Sequence, residues 1–133
     1  MRLIKPSGII ILFYFSLVLY SCKTKDEYKA LEVTATAYNS VPYQTQGNPF
    51  VTAWGDTLKP GMKVIAVSRD LIDSGLVYET KVEIEGLPGK YVVRDKMNAR
   101  WRNKIDIYME DSVQKAREWG KQEVTIRWKP EKE

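Results

Sequence analysis

Residues 91–109 read YVVRDKMNARWRNKIDIYM. Two short β-branched runs, 91–93 and 105–109, flank a polar and basic connection, a pattern typical of two strands joined by a loop. Successive side chains of a strand point to opposite faces, so Ile105 and Ile107 are expected to face a core together. The stretch therefore predicts two strands, with one aspartate on or next to each.

These two aspartates, Asp95 and Asp106, differ in position. Asp106 alternates with isoleucines, and a carboxylate amid apolar residues is rarely left without a use or a partner. Asp106 is therefore expected on the strand but off its core face. Asp95 follows the first run at a strand-to-loop junction, where catalytic and binding residues are often found. Either aspartate alone is better explained as a turn former or a local hydrogen bonder. As a pair on neighbouring strand ends, they provide what acid–base cleavage of a glycosidic bond requires.

The composition and charge of the chain limit the kinds of polymer that it is expected to bind. The chain has 133 residues, of which 44% are hydrophobic and 29% charged, as expected for one globular domain. It contains 21 basic and 17 acidic side chains, and removal of an N-terminal segment that includes Arg2 and Lys5 leaves 19 against 17. The basic run at 100–104 is short and has no nucleic-acid-binding motif around it, so no nucleic acid is expected. Attraction to an anionic polymer, including cell-wall glycan peptides with free carboxylates, stays open.

The chain has no histidine and one cysteine. These counts exclude zinc sites built from histidine and cysteine, Ser-His-Asp triads and Cys-His pairs. They also exclude a disulfide within the chain. Any chemistry must rest on carboxylates, hydroxyls, amides, lysines or an oxygen-liganded ion, and we expect neither a cofactor nor a metal.

The N-terminus predicts export. Residues 1–21 fit a signal peptide, because a positive start precedes an apolar run at 9–20 that is shorter than the roughly 20 residues of a membrane span. Leu-Tyr-Ser-Cys at 19–22 is similar to a bacterial lipobox, which implies cleavage before Cys22 and lipidation of its thiol. Residues 22–30 would then be the lipidated cysteine and a charged tether. This predicts a lipid-anchored protein of the bacterial cell envelope, at the outer membrane with a periplasmic or surface face; the alternative is an uncleaved anchor.

Residues 31–129 predict one β-rich domain, followed by a charged tail at 130–133. A short amphipathic helix is expected late in the chain, with Asp111 as its N-cap and Gly120 as its C-terminal stop. Six or seven short strands with this one helix predict a mainly β, closed barrel rather than an open α/β sheet. Besides the two runs above, strand-like or extended pieces occur at 33–38, 50–54, 62–67, 80–85 and 124–128.

Several short motifs occur in a fixed order along the chain: Thr-Ala-Thr-Ala-Tyr at 34–38, Thr-Ala-Trp-Gly at 52–55, Leu-Lys-Pro-Gly at 58–61, Ile-Ala-Val at 65–67, Thr-Lys-Val at 80–82, Asp95, and Ile-Asp-Ile-Tyr at 105–108. Together they resemble the bacterial three-aspartate (3D) domain, and the similarity covers most of the stretch from Glu32 to Trp128. The resemblance implies a double-psi β-barrel related to membrane-bound lytic transglycosylase A and rare lipoprotein A. It also implies cleavage of peptidoglycan glycan strands to a 1,6-anhydromuramoyl product.

The resemblance also implies roles for the acids. Asp106 would be the catalytic acid, which protonates the glycosidic oxygen and then, as a carboxylate, assists attack by the muramoyl C6 hydroxyl. Asp95 would be the negative neighbour that raises the pKa of Asp106 and stabilises oxocarbenium-like charge. The family's first acid is replaced by Ser68, and Asp70 is the candidate for its role, with Asp73 a weaker one.

The loop after Asp95 departs from the family, because residues 96–102 replace a glycine-rich stretch. Trp101 would either stack on a sugar ring or anchor the loop. Thr36, Tyr38 and Tyr108 would either line the same cleft or only pack as strand residues. The expected partners are peptidoglycan strands and, through the lipid on Cys22, a membrane. The alternative to an enzyme is a glycan-binding or structural barrel without turnover.

Overall fold

The computed structural model describes residues 27–39, 51–110 and 112–130, which contain six strands and two helices. The mainly β, closed barrel predicted from the sequence, with a short helix late in the chain, is confirmed. The strands are β1 Lys29–Tyr38, β2 Val64–Val67, β3 Lys81–Ile84, β4 Lys90–Lys96, β5 Lys104–Tyr108 and β6 Gln122–Trp128, and the helices are α1 Arg69–Asp73 and α2 Val113–Trp119.

The strands close in the order β1-β5-β2-β4-β3-β6, and β6 pairs with β1 to complete the barrel. The pairs β1–β5 and β2–β4 are parallel, and the other four pairs are antiparallel. Parallel partners cannot be joined by a tight hairpin, so these pairs bring together residues far apart in the chain. Strand β5, which carries Asp106, lies between β1 and β2.

The core follows the alternation expected from the sequence. In β5, Ile105 and Ile107 are fully buried, whereas Asp106 between them is only partly buried. In β1, Val33 and Ala35 are fully buried, and Thr34 between them is not. Burial of a branched apolar side chain contributes about 1.5–3 kcal/mol, so each short strand is held mainly by its inward row.

The pairing of β2 with β4 contains one register shift. Ile65 pairs with Val93, but the next residue, Ala66, pairs with Asp95, so that Arg94 is an extra residue in β4. An extra residue reverses the face to which all following side chains point. Without it, Asp95 would continue the inward row of β4, to which the fully buried Val93 belongs. The bulge therefore turns Asp95 out of the core.

Other expectations fall partly outside the described residues. The signal peptide and most of the tether lie there, as do Asp111 and the end of the tail. Helix α2 is capped by Ser112, whose Oγ accepts a hydrogen bond of 3.1 Å from the backbone N–H of Lys115. No helix within 27–39, 51–110 or 112–130 has the length and apolar character that a membrane crossing needs.

Candidate active site

One row of register partners, here called the rung, crosses four strands of the barrel and consists of Thr36, Asp106, Ala66 and Asp95. Asp106 of β5 pairs with Thr36 of β1 on one side and with Ala66 of β2 on the other, and Ala66 also pairs with Asp95 of β4. Neighbouring strands are about 4.8 Å apart, so the backbones of the two aspartates are about 10 Å apart. The small side chain of Ala66 leaves the space between them open.

The two aspartates line one open cleft of about 310 Å³. Its walls come from β1, β2, β4, β5 and the loop that joins β4 to β5. A larger cleft of about 520 Å³ lies on β3 and β6, away from both aspartates. The smaller cleft is therefore the candidate site, and the residues that line it are Tyr38, Ala66, Asp95, Lys96, Met97, Asn98, Trp101 and Asp106.

The environment of Asp106 favours the protonated form of its carboxyl group. Burial raises the pKa of the Asp106 carboxyl group above its ordinary value, and the negative charge of Asp95 adds to this rise. A hydrogen bond of 2.9 Å from Thr36 Oγ1 to Asp106 Oδ1 and the positive charge of Lys104 oppose the rise without cancelling it. A carboxyl group with a raised pKa is a better general acid near neutral pH.

Asp95 is held by the backbone. Its Oδ1 accepts hydrogen bonds of 2.8 Å from the N–H of Ala53 and 2.9 Å from the N–H of Lys96. Burial raises the pKa of Asp95, and these two hydrogen bonds oppose that rise. The N–H of Ala53 is positioned by a tight turn in which Gly55 N–H donates to the carbonyl oxygen of Thr52 at 2.9 Å. The sequence pattern predicted an extended piece at 50–54, but residues 52–55 form this turn instead. The contact of the turn with the acid was not predicted.

Tyr38 lines the cleft, and its hydroxyl oxygen is buried. This oxygen has no hydrogen-bond partner among the described residues. Burial, followed by the negative charges of Asp95 and Asp106, raises the pKa of Tyr38 far above its ordinary value, so the hydroxyl stays protonated and can donate. A buried polar atom without a partner calls for a ligand or a water molecule.

Of the two tyrosines that the sequence predicted for the cleft, only Tyr38 lines it. The Tyr38 ring packs on Tyr108 with their centroids 5.5 Å apart. Tyr108 is 3% exposed, belongs to a buried cluster with Leu58 and Val64, and is not among the residues that line the cleft. Tyr38 is thus placed at the site, and Tyr108 packs behind it.

Trp101 lines the cleft and is 37% exposed. Its ring has two cationic neighbours, Lys104 Nζ at 3.7 Å and Arg100 Cζ at 4.9 Å from the ring centroid. The ring thus already makes cation–π contacts at the rim of the cleft. Both alternatives for this residue, a sugar platform and a loop anchor, are compatible with that position.

Asp70 lies outside the set of residues that line the cleft. Its Oδ2 accepts a hydrogen bond of 2.9 Å from the N–H of Asn103. Burial acts to raise the pKa of Asp70, but the neighbouring Ser68 hydroxyl, the Asn103 amide and the charge of Arg102 outweigh it and lower the pKa. Ser68 is fully buried, and its Oγ accepts a hydrogen bond of 3.0 Å from the N–H of Lys104. Ser68 and Asp70 thus anchor the start of β5, the strand that carries Asp106.

The polar groups that line the cleft are two carboxyl groups, the Tyr38 hydroxyl, the Lys96 ammonium group and the Asn98 amide. The structure brings together Asp95, Asp106, Tyr38 and Trp101, and adds Thr36 through its hydrogen bond. Within the described part of the chain, no group of three or more acidic, histidine or cysteine side chains is placed to hold a metal ion. The arrangement suits proton transfer by one carboxyl group beside a second one that accepts two backbone N–H groups.

No family model matches the chain, and no curated protein sequence matches it. Among solved structures it is similar to the apo form of an expansin from Clavibacter michiganensis, with a TM-score of 0.52, 16% identity and coverage of 79% of this chain. The chain spans about half of that expansin, 52% of its length. It is also similar to a papain inhibitor from Streptomyces, with a TM-score of 0.51, 17% identity and coverage of 75% of this chain and 94% of the inhibitor. Both have double-psi β-barrel-like folds, and the likeness places this chain in the same fold class.

Proposed function

We propose that the protein is a lipid-anchored cell-envelope enzyme of the 3D-domain type that cleaves peptidoglycan glycan strands by lytic transglycosylation. One observation supports this above the others: Asp106 is a carboxyl group with a raised pKa that lines an open cleft opposite a second carboxylate, Asp95. Lipidation of Cys22 and location at the outer membrane are part of the same proposal.

In the proposed reaction Asp106 starts protonated. It gives its proton to the glycosidic oxygen as the bond between that oxygen and muramoyl C1 breaks, and the bonding electrons leave with the N-acetylglucosamine. The Asp106 carboxylate then takes the proton of the muramoyl C6 hydroxyl, whose oxygen forms the new bond to C1. Water is not consumed, Asp106 regains its proton, and the product is a 1,6-anhydromuramoyl end.

Asp95 is assigned the electrostatic role. Positive charge develops at C1 and the ring oxygen as the glycosidic bond breaks, and a fixed carboxylate nearby lowers the energy of that state. The backbone N–H groups of Ala53 and Lys96 hold Asp95 in place, so little reorganisation is needed. The Tyr38 hydroxyl, which has no partner among the described residues, is assigned to a sugar oxygen.

The test is digestion of purified sacculi by the full-length protein in detergent, with the released muropeptides identified by mass spectrometry. We expect anhydromuropeptides from the wild type and a rate lower by about 10²–10⁴-fold for Asp106→Asn. Asp73→Asn is the matched control, because Asp73 is an exposed aspartate outside the cleft. Unchanged release by a folded Asp106→Asn variant, or products with ordinary reducing ends, would contradict the proposal.

A second candidate function is a peptidoglycan-binding barrel without turnover. Two departures from the family favour it: Ser68 stands at the position of the first acid, and the loop at 96–102 has no glycine. Binding to sacculi without any released product would support this alternative.

The proposed transglycosylase mechanism uses no metal, so activity should survive chelation. A loss of activity in EDTA would count against that mechanism.

A further inference from the structure

The segment 96–104, which runs from the end of β4 to the start of β5, reads KMNARWRNK and contains four basic side chains and no acidic one. We propose that these four, Lys96, Arg100, Arg102 and Lys104, here called the basic rim, bind free carboxylates of the substrate. The preferred substrate is then glycan that carries anionic peptide stems, rather than bare or amidated glycan. This inference rests on the proposed function, since it names the substrate of the same cleft.

Three members of the basic rim lie at or next to the cleft that contains the two aspartates, whereas the fourth, Arg102, acts through its charge on Asp70 outside the cleft. Lys96 and Trp101 line the cleft. Two rim cations, Lys104 and Arg100, lie at 3.7 and 4.9 Å from the centroid of the Trp101 ring. Cation–π contacts of this kind hold the charged groups near the ring. Positive charge is thus concentrated around Trp101 at the edge of the cleft.

The rim cations differ from the paired cations elsewhere in the barrel. Arg94, Lys115 and Arg127 each have a carboxylate oxygen within 4.0 Å. No rim side chain forms such a pair with the described residues. Arg100 and Arg102 are exposed. Lys96, Lys104 and Arg102 act through their charge on Asp95, Asp106 and Asp70, respectively. The rim charge is therefore partly balanced, and the exposed guanidinium groups remain accessible to an anionic ligand.

Hydrogen bonds at both ends hold the segment in place. At its start, Met97 N–H donates to Val67 O at 2.9 Å, and Met97 O accepts from Arg69 Nε at 3.1 Å. At its end, Asn103 N–H donates to Asp70 Oδ2 at 2.9 Å. These contacts tie the segment to β2 and α1, so its backbone need not be ordered when a ligand binds. Preorganisation of this kind strengthens binding.

The chemistry of the rim fits a carboxylate. Arginine presents a planar fork of N–H donors that matches the two oxygens of a carboxylate. Peptide stems project from the muramoyl unit, next to the bond that Asp106 is proposed to cleave, and end in carboxylates. Capture of a stem at Arg100, which lies against the Trp101 ring at the cleft, would therefore also position the glycan in the cleft. Amidation of the stems would remove the charge and weaken the contact.

The test compares binding of the full-length protein in detergent to native sacculi and to sacculi whose carboxylates have been converted to amides with carbodiimide and ammonia. Asp106→Asn is used as the background, so that no substrate is consumed. We expect amidation to weaken binding by about tenfold or more, and Arg100→Gln/Arg102→Gln to cause a similar loss on native sacculi only. Lys81→Gln/Lys121→Gln removes the same charge outside the cleft and should change binding little.

Equal binding to native and amidated sacculi would overturn the inference, as would an equal loss in the Lys81→Gln/Lys121→Gln control. Anhydromuropeptide release by the wild-type protein that is unaffected by amidation would leave the enzyme proposal standing and remove the rim proposal. Amidation-sensitive binding without any anhydro product would support the rim proposal and contradict the enzyme proposal. The two proposals thus fail by different results.

Discussion

Thr36 and Asp106 lie 70 residues apart in the chain and are joined by a hydrogen bond of 2.9 Å from the threonine hydroxyl to the carboxylate. Parallel pairing of β1 with β5 makes the two residues register partners, so the contact belongs to the barrel itself. It acts directly on the proposed acid, because hydrogen bonds to the ionised form lower the pKa of a carboxyl group.

Replacing Thr36 by valine should raise the pKa of Asp106 further, because it removes the hydrogen bond that lowers it. The alkaline limb of the pH dependence of kcat/KM for anhydromuropeptide release should move to higher pH. Thr36→Ser keeps a hydroxyl and is the control that should restore the profile. A limb that stays in place or moves to lower pH in Thr36→Val would contradict the assignment of Asp106 as the titrating acid.

Asp95→Asn should have the opposite effect on the same profile. Burial is the main cause of the raised pKa of Asp106, and the negative charge of Asp95 adds to it, so its removal lets that pKa fall. The alkaline limb should move to lower pH, and kcat/KM should fall because the electrostatic stabilisation of the transition state is lost. An asparagine oxygen can still accept the N–H groups of Ala53 and Lys96, so the turn should persist. Full activity with an unshifted limb would rule out the electrostatic role.

Asp106 and Asp70 should affect the pH dependence of stability with opposite signs. The folded-state pKa of Asp106 is raised by burial, so the folded protein binds more protons than the unfolded chain between the ordinary pKa of about 3.9 and the raised one. Stability is therefore lost as pH rises through that window. Asp106→Asn removes this loss and should unfold at a higher temperature than the wild type at neutral pH, with the difference shrinking as pH falls below the ordinary pKa.

For Asp70 the neighbouring hydroxyl, amide and guanidinium outweigh burial and lower the pKa, so its carboxylate stabilises the fold above the ordinary pKa and loses that effect as pH falls through the lowered one. Asp70→Asn should therefore unfold at a lower temperature than the wild type at neutral pH, by a modest amount because the site is solvent-screened. The measurement is thermal unfolding of both variants from acid to neutral pH. Shifts of the same sign for the two variants at neutral pH would contradict the opposite pKa shifts assigned to the two aspartates.

Tyr38→Phe should separate stability from function. The Tyr38 hydroxyl is buried and makes no hydrogen bond to the described residues, so its removal should leave the free energy of unfolding unchanged or higher. If the hydroxyl contacts substrate, kcat/KM should fall by about tenfold, which corresponds to about 1.4 kcal/mol. Urea unfolding and sacculus digestion measure the two effects. A loss of stability with unchanged kcat/KM would show that the hydroxyl has a structural partner and no contact with substrate.

The sequence by itself determined the barrel class and the face of Asp106. Alternation of Ile105, Asp106 and Ile107 is local, and a strand converts such alternation directly into an inner and an outer row. The lack of histidine likewise excludes imidazole chemistry whatever the fold, which leaves carboxyl and hydroxyl groups as the main candidates for proton transfer.

Only the tertiary structure decided which acids meet. The face of Asp95 depends on the extra residue Arg94 in the pairing of β4 with β2, and simple alternation along β4 would have placed Asp95 in the core. Asp70 lies close to Ser68 in sequence, yet it accepts a hydrogen bond from Asn103 at the start of β5 and lies outside the cleft. Side-chain periodicity is set by each residue's immediate neighbours, whereas register and bulges are set by partner strands tens of residues away. That is why the pattern predicted the strands, and only the packed barrel placed Asp95 and Asp106 on one rung.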